Sequence, residues 1–362
     1  MPYPANYGGV IDVFCRIKAL HGIGVKIHLH CFEYGRGGQP ELNKYCTEVN
    51  YYKRNKGWKG FSFRLPYIVK SRANKNLLQN LLKDNHPVLL EGIHCTYFLF
   101  TGQLKSKKVF VRLHNVEFEY YHQLAKNETS FLKKFYFQNE SRLLKKYEKK
   151  IADKTTLLAI TQKDVEAYKT IFGATDINYL PAFLLYSSVV CKEGKGNYCL
   201  YHGNLSVADN EKAAIWLCEN IFNELNIRLI ISGKDPSEKL KEIVQQNKNI
   251  NLIANPSEVQ MNDLISNAQI NILLSFNSTG IKIKLLNALF NGRHCITNKA
   301  IIDGTELETL CHIAETKGDY ITAVKQLFDE PFTASEIIKK EQILKKEFDC
   351  RTNAELLIKW IQ

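Results

Sequence analysis

Two kinds of side chain stand where they can do chemistry. Lys282 and Lys284 lie in "STGIKIKLLNALFNGRHCITN" (278–298), which reads as a polar turn, a helix and a strand, with no acidic residue between Ser275 and Asp303. Free N–H groups already make a helix N-terminus positive, so lysines there cost a few tenths to about 1 kcal/mol each unless an anion faces them. With Ser278, Thr279 and Gly280 as the cap, this turn is a phosphate site; solvated lysines are the plainer alternative. Three glycine-bearing turns add to it. In "NYGG" (6–9), Gly8 and Gly9 open a helix and let an oxyanion approach the backbone; "YHGNLSVADN" (201–210) puts Gly203 and Asn204 at a strand end; "SGKDPSEKL" (232–240) gives Lys234 reach to a phosphate. The second kind is imidazole and carboxylate. "RLHNVEFEYY" (112–121) sets His114, Asn115 and Glu117 just after a strand, and "LEGIHC" (90–95) does the same for Glu91 and His94. Together they suit a general base or a set of partners for sugar hydroxyls, although a histidine at a strand end is more often structural. No metal is expected: His28 and His30 in "HLHC" share one strand face without a third ligand, and neither a Walker loop nor a serine nucleophile elbow is present.

Parallel strands with helical crossovers are the elements that must carry these residues. Short apolar runs at 25–32, 87–92, 108–114 and 156–161, then at 197–203, 227–233, 250–256, 270–276 and 294–298, alternate with helical patterns. In such sheets ligands collect beyond the carboxyl ends of strands, where all of the residues above fall. The pattern breaks after "YLPAF" and resumes past "CKEGKGN", which divides the chain into an N-terminal domain (1–183), a second domain (197–333) and a helical segment (334–362) that crosses back to the first. "ANYGGVIDVF" begins with the glycine loop that should follow a strand, so the first strand of the N-terminal domain is expected to be missing.

Charge is unevenly divided. Residues 1–181 hold 29 Lys and Arg against 15 Asp and Glu, whereas 182–362 hold 20 against 22, within a total of +12. A basic half fits a polyanionic substrate or an anionic membrane surface. Nucleic acid is disfavoured, because no stacking-aromatic and lysine motif accompanies the charge. "FLKKFYFQNESRLLKKYEKKIADK" (131–154) has Leu132, Phe135, Leu143, Tyr147 and Ile151 among lysine pairs and can rest on an anionic bilayer. Ten scattered cysteines, the lack of a signal peptide and the lack of a long apolar run read as a cytoplasmic protein with reduced thiols, at most peripheral on the inner face of a membrane.

"PYPANYGGVIDVF", "HNVEFEYYHQLA" and "LLNALFNGR", in that order, resemble the GT-B glycosyltransferases, near the retaining family 4 type (glycosyl transferases group 1), and especially polysaccharide-type enzymes of Bacteroidota. The resemblance implies an α/β fold of two Rossmann-like, doubly wound parallel-sheet domains facing a cleft, the second binding a nucleotide-sugar donor. It places Lys284 on the donor diphosphate, Gly203 and Asn204 in the loop after the first strand of the donor domain, Gly8 and Gly9 against the donor phosphate, and His114 beside the transferred sugar and acceptor. The family's pair of glutamates falls at Thr279 and Asn287; Asn287 can still hydrogen-bond a ribose hydroxyl. The implied activity is hexosyl transfer, with retention, from a nucleotide sugar to a glycan or lipid-linked acceptor, with no cofactor or metal. A nucleotide-sugar epimerase of the same fold, or an inactive nucleotide-binding scaffold, are the alternatives.

Overall fold

The apolar runs fold as parallel strands in a computed structural model, which describes residues 1–5, 8–33, 35, 37–128, 130–277 and 280–362. The chain forms two units, Met1–Leu185 with Phe348–Gln362, and Tyr186–Glu347.

In the first unit the strands are β1 (His28–Phe32), β2 (Glu48–Tyr52), β3 (Val88–Glu91), β4 (Val109–Leu113), β5 (Thr156–Ala159) and β6 (Ile177–Tyr179). β1 pairs with β2 alone, while the others form a separate parallel sheet in the order β3-β4-β5-β6. β4, "VFVRL", is buried along its whole length, Arg112 included, as a strand covered on both faces requires. β2 and β6 are short and partly polar, and the sequence pattern misses them. No strand precedes the helix Gly8–Gly22 among the described residues; β1 and β3 each have one strand partner and stay half-exposed at their starts.

Two faces of the helix Gly8–Gly22 are buried. Val10, Phe14, Ile17 and Leu20 supply apolar surface, and Cys15 and Leu20 share a core with Phe110, Leu158, Phe183 and the C-terminal helix Cys350–Ile361. Asp12 and Arg16, one turn apart, are equally buried and make an ion pair. The helical segment at the end of the chain is divided. Its first helix, Ala334–Phe348, stays largely with the second unit, where Lys340 donates to the carbonyls of Gly292 and Arg293 at 2.8 and 2.7 Å; only Phe348 onward returns to the first.

Strands β7 (Cys199–Asn204), β8 (Leu229–Lys234), β9 (Ile250–Ala254), β10 (Ile270–Leu273), β11 (His294–Thr297) and β12 (His312–Ile313) make one parallel sheet in the second unit, ordered β12-β11-β10-β7-β8-β9. The order reverses between β7 and β10, which opens the crevice where doubly wound sheets take ligands. The four residues of β10 and the first four of β7 are buried, and Tyr201, Phe222, Ile231, Ile272 and Tyr320 fill the core on one face.

Candidate active site

Lys284 stands at the strand-order reversal of the second unit. The helix that carries it, Ile283–Asn291, begins at Ile283 with Lys282 as its N-cap and no side-chain capping bond. The helix therefore starts later than a cap built on Ser278, Thr279 and Gly280 would have it. Ser278 and Thr279 lie outside the described residues, and Gly280 takes the positive φ of 66° that a tight turn requires of glycine. Leu286 and Phe290 are buried, and that apolar face turns the N-terminus toward the ends of β7 and β10.

Half-buried, the Lys284 ammonium donates to Asn210 Oδ1 at 3.1 Å and to the Leu274 carbonyl at 3.4 Å, and lies 5.4 Å from the Tyr201 ring centroid. Both hydrogen-bond partners are neutral, and among the described residues it makes no ion pair. Asp209 is close enough to favour its charge, but that carboxylate accepts the Ser275 hydroxyl at 2.8 Å. Burial therefore wins, aided by repulsion from Lys282, and Lys284 is lowered to about 8. Burial and the Lys284 charge push His202, on β7, down to about 3, and its Nε2 is buried without a hydrogen-bond partner.

Gly203 and Asn204 end β7 in register with Gly233 and Lys234 of β8. A side chain on Gly233 would collide with the Gly203 carbonyl, so the two glycines bring these strand ends together. Asn204 is fixed on both sides: its carbonyl accepts from Asn210 Nδ2 at 2.9 Å and its Oδ1 from the Ser206 hydroxyl at 2.8 Å. Lys234 is exposed beside Asn204, with Nζ 3.9 Å from Asp235. Asn287, one turn beyond Lys284, is committed locally; its Oδ1 accepts from Asn291 Nδ2 at 2.8 Å.

In the first unit, His114 and Glu91 meet at the carboxyl ends of neighbouring strands, Nε2 to Oε2 at 3.2 Å. A buried ion cluster holds them. Arg16 bridges Asp12 at 2.8 Å and Glu91 at 2.5 Å, while Arg112 reaches Asp12 at 3.3 Å, the Pro181 carbonyl at 2.8 Å and the Leu180 carbonyl. The Phe183 N–H completes Asp12 at 2.8 Å. Burial opposes charge on Asp12, but Arg16, Arg112 and His114 outweigh it and hold the carboxyl far below its ordinary value; Glu91 is lowered against its own burial by Arg16 and His114. The second nitrogen of His114, Nδ1, is buried without a hydrogen bond, 3.8 Å from Asp12.

His94 packs beside Gly92, whose φ is 82°, and is held well below its ordinary value by burial and by Arg72 and His114. Glu117, which follows Asn115 at the start of the helix Glu117–Asn127, is raised to about 7 by burial against the pull of His114 and Arg72 and a hydrogen bond from Asn115. That helix start is fixed by Glu148, whose carboxyl oxygens accept the Glu117 and Phe118 N–H groups, each at 2.9 Å. Gly8 and Gly9 head the helix that supplies Asp12 and Arg16; the space beside Gly9 is open. The sequence reading thus found Glu91, His94, His114, Asn115 and Glu117 in one cluster and missed Asp12, Arg16 and Arg112. The i,i+4 pairing of Asp12 and Arg16 on an otherwise apolar helix was their one signal. In the second unit it missed His202, Asp209 and Asn210.

Asp12, Glu91 and His114 put three ligand atoms within 4.8 Å of one another. The two carboxylates of this set are already paired with guanidinium groups, so a dication entering it would face Arg16 and Arg112 at contact distance.

Comparison with known proteins agrees with the two sheets. Residues 196–330 match the family described as Glycosyl transferases group 1. Over 322 residues the chain is 28% identical to an uncharacterized 44.6 kDa protein in the cps region of Klebsiella pneumoniae, covering 84% of this chain and 82% of that one. Anabaena HepE, solved with UDP and glucose, superposes with a TM-score of 0.63 at 11% identity over 97% of this chain and 95% of its own. The fold is GT-B. A mutant of S. aureus TarM, solved with fondaparinux, alpha-GlcNAc-glycerol and UDP, is a longer GT-B relative, with a TM-score of 0.60 and 12% identity; it covers 82% of this chain, which spans only 59% of TarM.

Proposed function

We propose that this GT-B chain is a glycosyltransferase that moves a hexosyl group, with retention, from a nucleoside-diphosphate sugar to a glycan or lipid-linked acceptor in polysaccharide assembly. The observation that carries the reading is Lys284: a half-buried ammonium with neutral partners, at the strand-order reversal and in the first turn of a helix. A diphosphate is the anion that fits. Negative charge grows on the leaving phosphate as the glycosidic bond breaks, and Lys284, Lys282 and the helix N–H groups stabilise it. Gly203 and Asn204 offer backbone to the nucleotide side, with Lys234 at the rim. His114, held by Glu91, serves the sugar and acceptor side with Asn115 and Glu117, and Gly8 and Gly9 admit a phosphate closely. No metal is required, because lysine and helix N–H groups carry the leaving-group charge. The UDP in the HepE and TarM structures and the group 1 match over 196–330 support a UDP-linked donor.

Calorimetric titration with UDP and UDP-sugars tests this. Wild type should bind one of them, and Lys284→Ala should bind it about tenfold to a hundredfold more weakly, the cost of losing one charge-assisted contact to phosphate. A folded wild type that binds no nucleoside diphosphate would reject the donor site. Asn287 favours a second reading: where the resemblance expects a glutamate it offers a neutral carbonyl already engaged by Asn291. Nucleotide binding without sugar transfer or epimerised product would assign the chain as a scaffold.

A further inference from the structure

Exposed aromatic rings are concentrated in one part of the first unit. Among the described residues every exposed aromatic except Phe276 lies in two short segments, 58–63 and 131–136. Trp58 is 89% exposed, Phe63 85%, Phe131 80% and Leu132 81%, values that an uncovered surface of a monomer rarely gives to large apolar side chains so close together.

The first segment is ordered by its own bonds. A short 3-10 turn, Gly57–Lys59, is closed by the Gly60 N–H on the Gly57 carbonyl at 3.0 Å, and the Ser62 hydroxyl accepts the Arg64 and Leu65 N–H groups at 3.1 Å each. The three rings support one another edge-on, Trp58 to Phe61 at 5.9 Å and Phe61 to Phe63 at 4.8 Å. They point to water as a preformed cluster.

The second segment is the start of the helix Phe131–Ile151. From Leu144 to Ile151 this helix buries Leu144, Tyr147 and Ile151 in the core, so Tyr147 and Ile151, read from the sequence as part of a bilayer-facing stripe, pack inside the unit instead. Its first two turns have no core beneath them: Phe131, Leu132 and Phe135, spaced i, i+1, i+4, form an uncovered stripe. The two segments are linked through Tyr67, which packs on the first and bonds the helix one turn beyond the second. The Tyr67 N–H donates to Glu140 of the helix at 2.9 Å, Gly60 packs against the Tyr67 ring, and Arg54 lies 5.9 Å from the centroid of that ring.

Charge selects the occupant. Residues 51–70 contain six Lys and Arg and no acid, and 131–139 contain two lysines and no acid. A second copy of this chain would bring like charges face to face around the same apolar rings. An anionic bilayer instead takes aromatic rings at its interface and attracts each basic residue near its surface by about 1 kcal/mol. We infer that the Trp58–Phe63 turn and the first two turns of the helix Phe131–Ile151 form one membrane-docking surface that inserts aromatic rings into an anionic phospholipid bilayer. Bilayer docking is what a lipid-linked acceptor would call for and in that sense rests on the proposed function, but the contact itself does not depend on the activity.

Co-sedimentation with vesicles of phosphatidylcholine alone and of phosphatidylcholine with phosphatidylglycerol tests it, with tryptophan emission read in parallel. Trp216 and Trp360 are partly buried, so a blue shift on binding reports Trp58. Wild type should sediment with the anionic vesicles, release at high salt and show the blue shift. The double variants Trp58→Ser/Phe63→Ser and Phe131→Ser/Leu132→Ser should each lose about tenfold or more of that binding and keep the wild-type melting curve and UDP affinity. Failure of wild type to sediment with anionic vesicles, or equal sedimentation of both variants, would overturn the proposal. So would concentration-dependent dimerisation that Phe131→Ser/Leu132→Ser abolishes in a protein that ignores vesicles, which would give the face to a second copy. A protein that docks yet binds no nucleoside diphosphate would fail the donor reading and leave this one standing.

Discussion

The two units place reactive groups at strand ends by opposite means. The second has a continuous six-stranded sheet and leaves one lysine hydrogen-bonded, among the described residues, only to neutral partners, so its charge is open to a ligand. The first has its strands in two hydrogen-bonded pieces and ties His114 and Glu91 into a quartet of Asp12, Arg16, Arg112 and Glu91 in which charges already answer one another. A residue of the second site should thus be removable at a cost in binding, whereas a residue of the first should be removable only at a cost in folding.

Asp12→Ala is the harshest test of that contrast. It leaves two buried guanidinium groups without their shared carboxylate and frees the Phe183 N–H, and stranding buried charge in this way costs about 3–5 kcal/mol. The first unit should melt far below wild type or fail to fold, while the second, in the same chain, should keep its transition by calorimetry. Lys284→Ala should do the reverse, lowering nucleotide affinity about tenfold or more with little change in either transition.

The pH dependence sharpens the comparison because the units respond through different groups. Lys284 binds an anion only when protonated. With its value lowered to about 8 in the free protein and raised again by a bound phosphate, nucleotide affinity should fall as pH rises through about 8, read by titration between pH 7 and 9.5. In the first unit, burial raises Glu148 to about 8, despite its hydrogen bonds from Tyr168 and two backbone N–H groups, and raises Glu117 and Glu140 to about 7. An unfolded glutamate gives up its proton near 4.5. Buried His94 works the other way, giving up a proton on folding below about 6.5, but three glutamates outnumber it. Folding on balance takes up protons between about 4.5 and 8, and stability is lost as pH rises through that window. The melting temperature of the first unit should fall by roughly 5 °C or more from pH 5 to 8.5, for a loss of about 2 kcal/mol. A melting temperature that rises over that range would contradict the buried, protonated carboxyls.

What could be read from the sequence follows the same division. Strands of the second unit are long apolar runs, so β7 to β11, the glycine at the end of β7 and the lysine after β10 stand out by pattern alone. The first unit is harder because its decisive residues break patterns. Asp12 and Arg16 look like surface residues on an amphipathic helix, and Arg112 looks like a polar edge in "VFVRL"; only packing shows that they neutralise one another in the interior. Leu132 and Phe135 share a period with Tyr147 and Ile151, yet the helix has core beneath it only along its second half. Periodicity finds an apolar face and cannot tell what covers it.

The smallest effect concerns the sheets themselves. A strand paired on both sides and buried opens only with its unit, whereas one paired on a single side can open locally. β7 pairs with both β8 and β10, but β1 pairs with β2 alone and β3 with β4 alone, and both begin half-exposed. Hydrogen exchange should accordingly be faster at His28–His30 and Val88–Leu89 than at Leu200–His202, by about tenfold or more if local opening saves even 1.4 kcal/mol relative to opening the whole unit. Equal protection in the three segments would mean that β1 and β3 open only with their unit. The quartet around Asp12 and the core under the C-terminal helix would then be holding the two pieces of the first sheet together as firmly as hydrogen-bonded pairing holds the second.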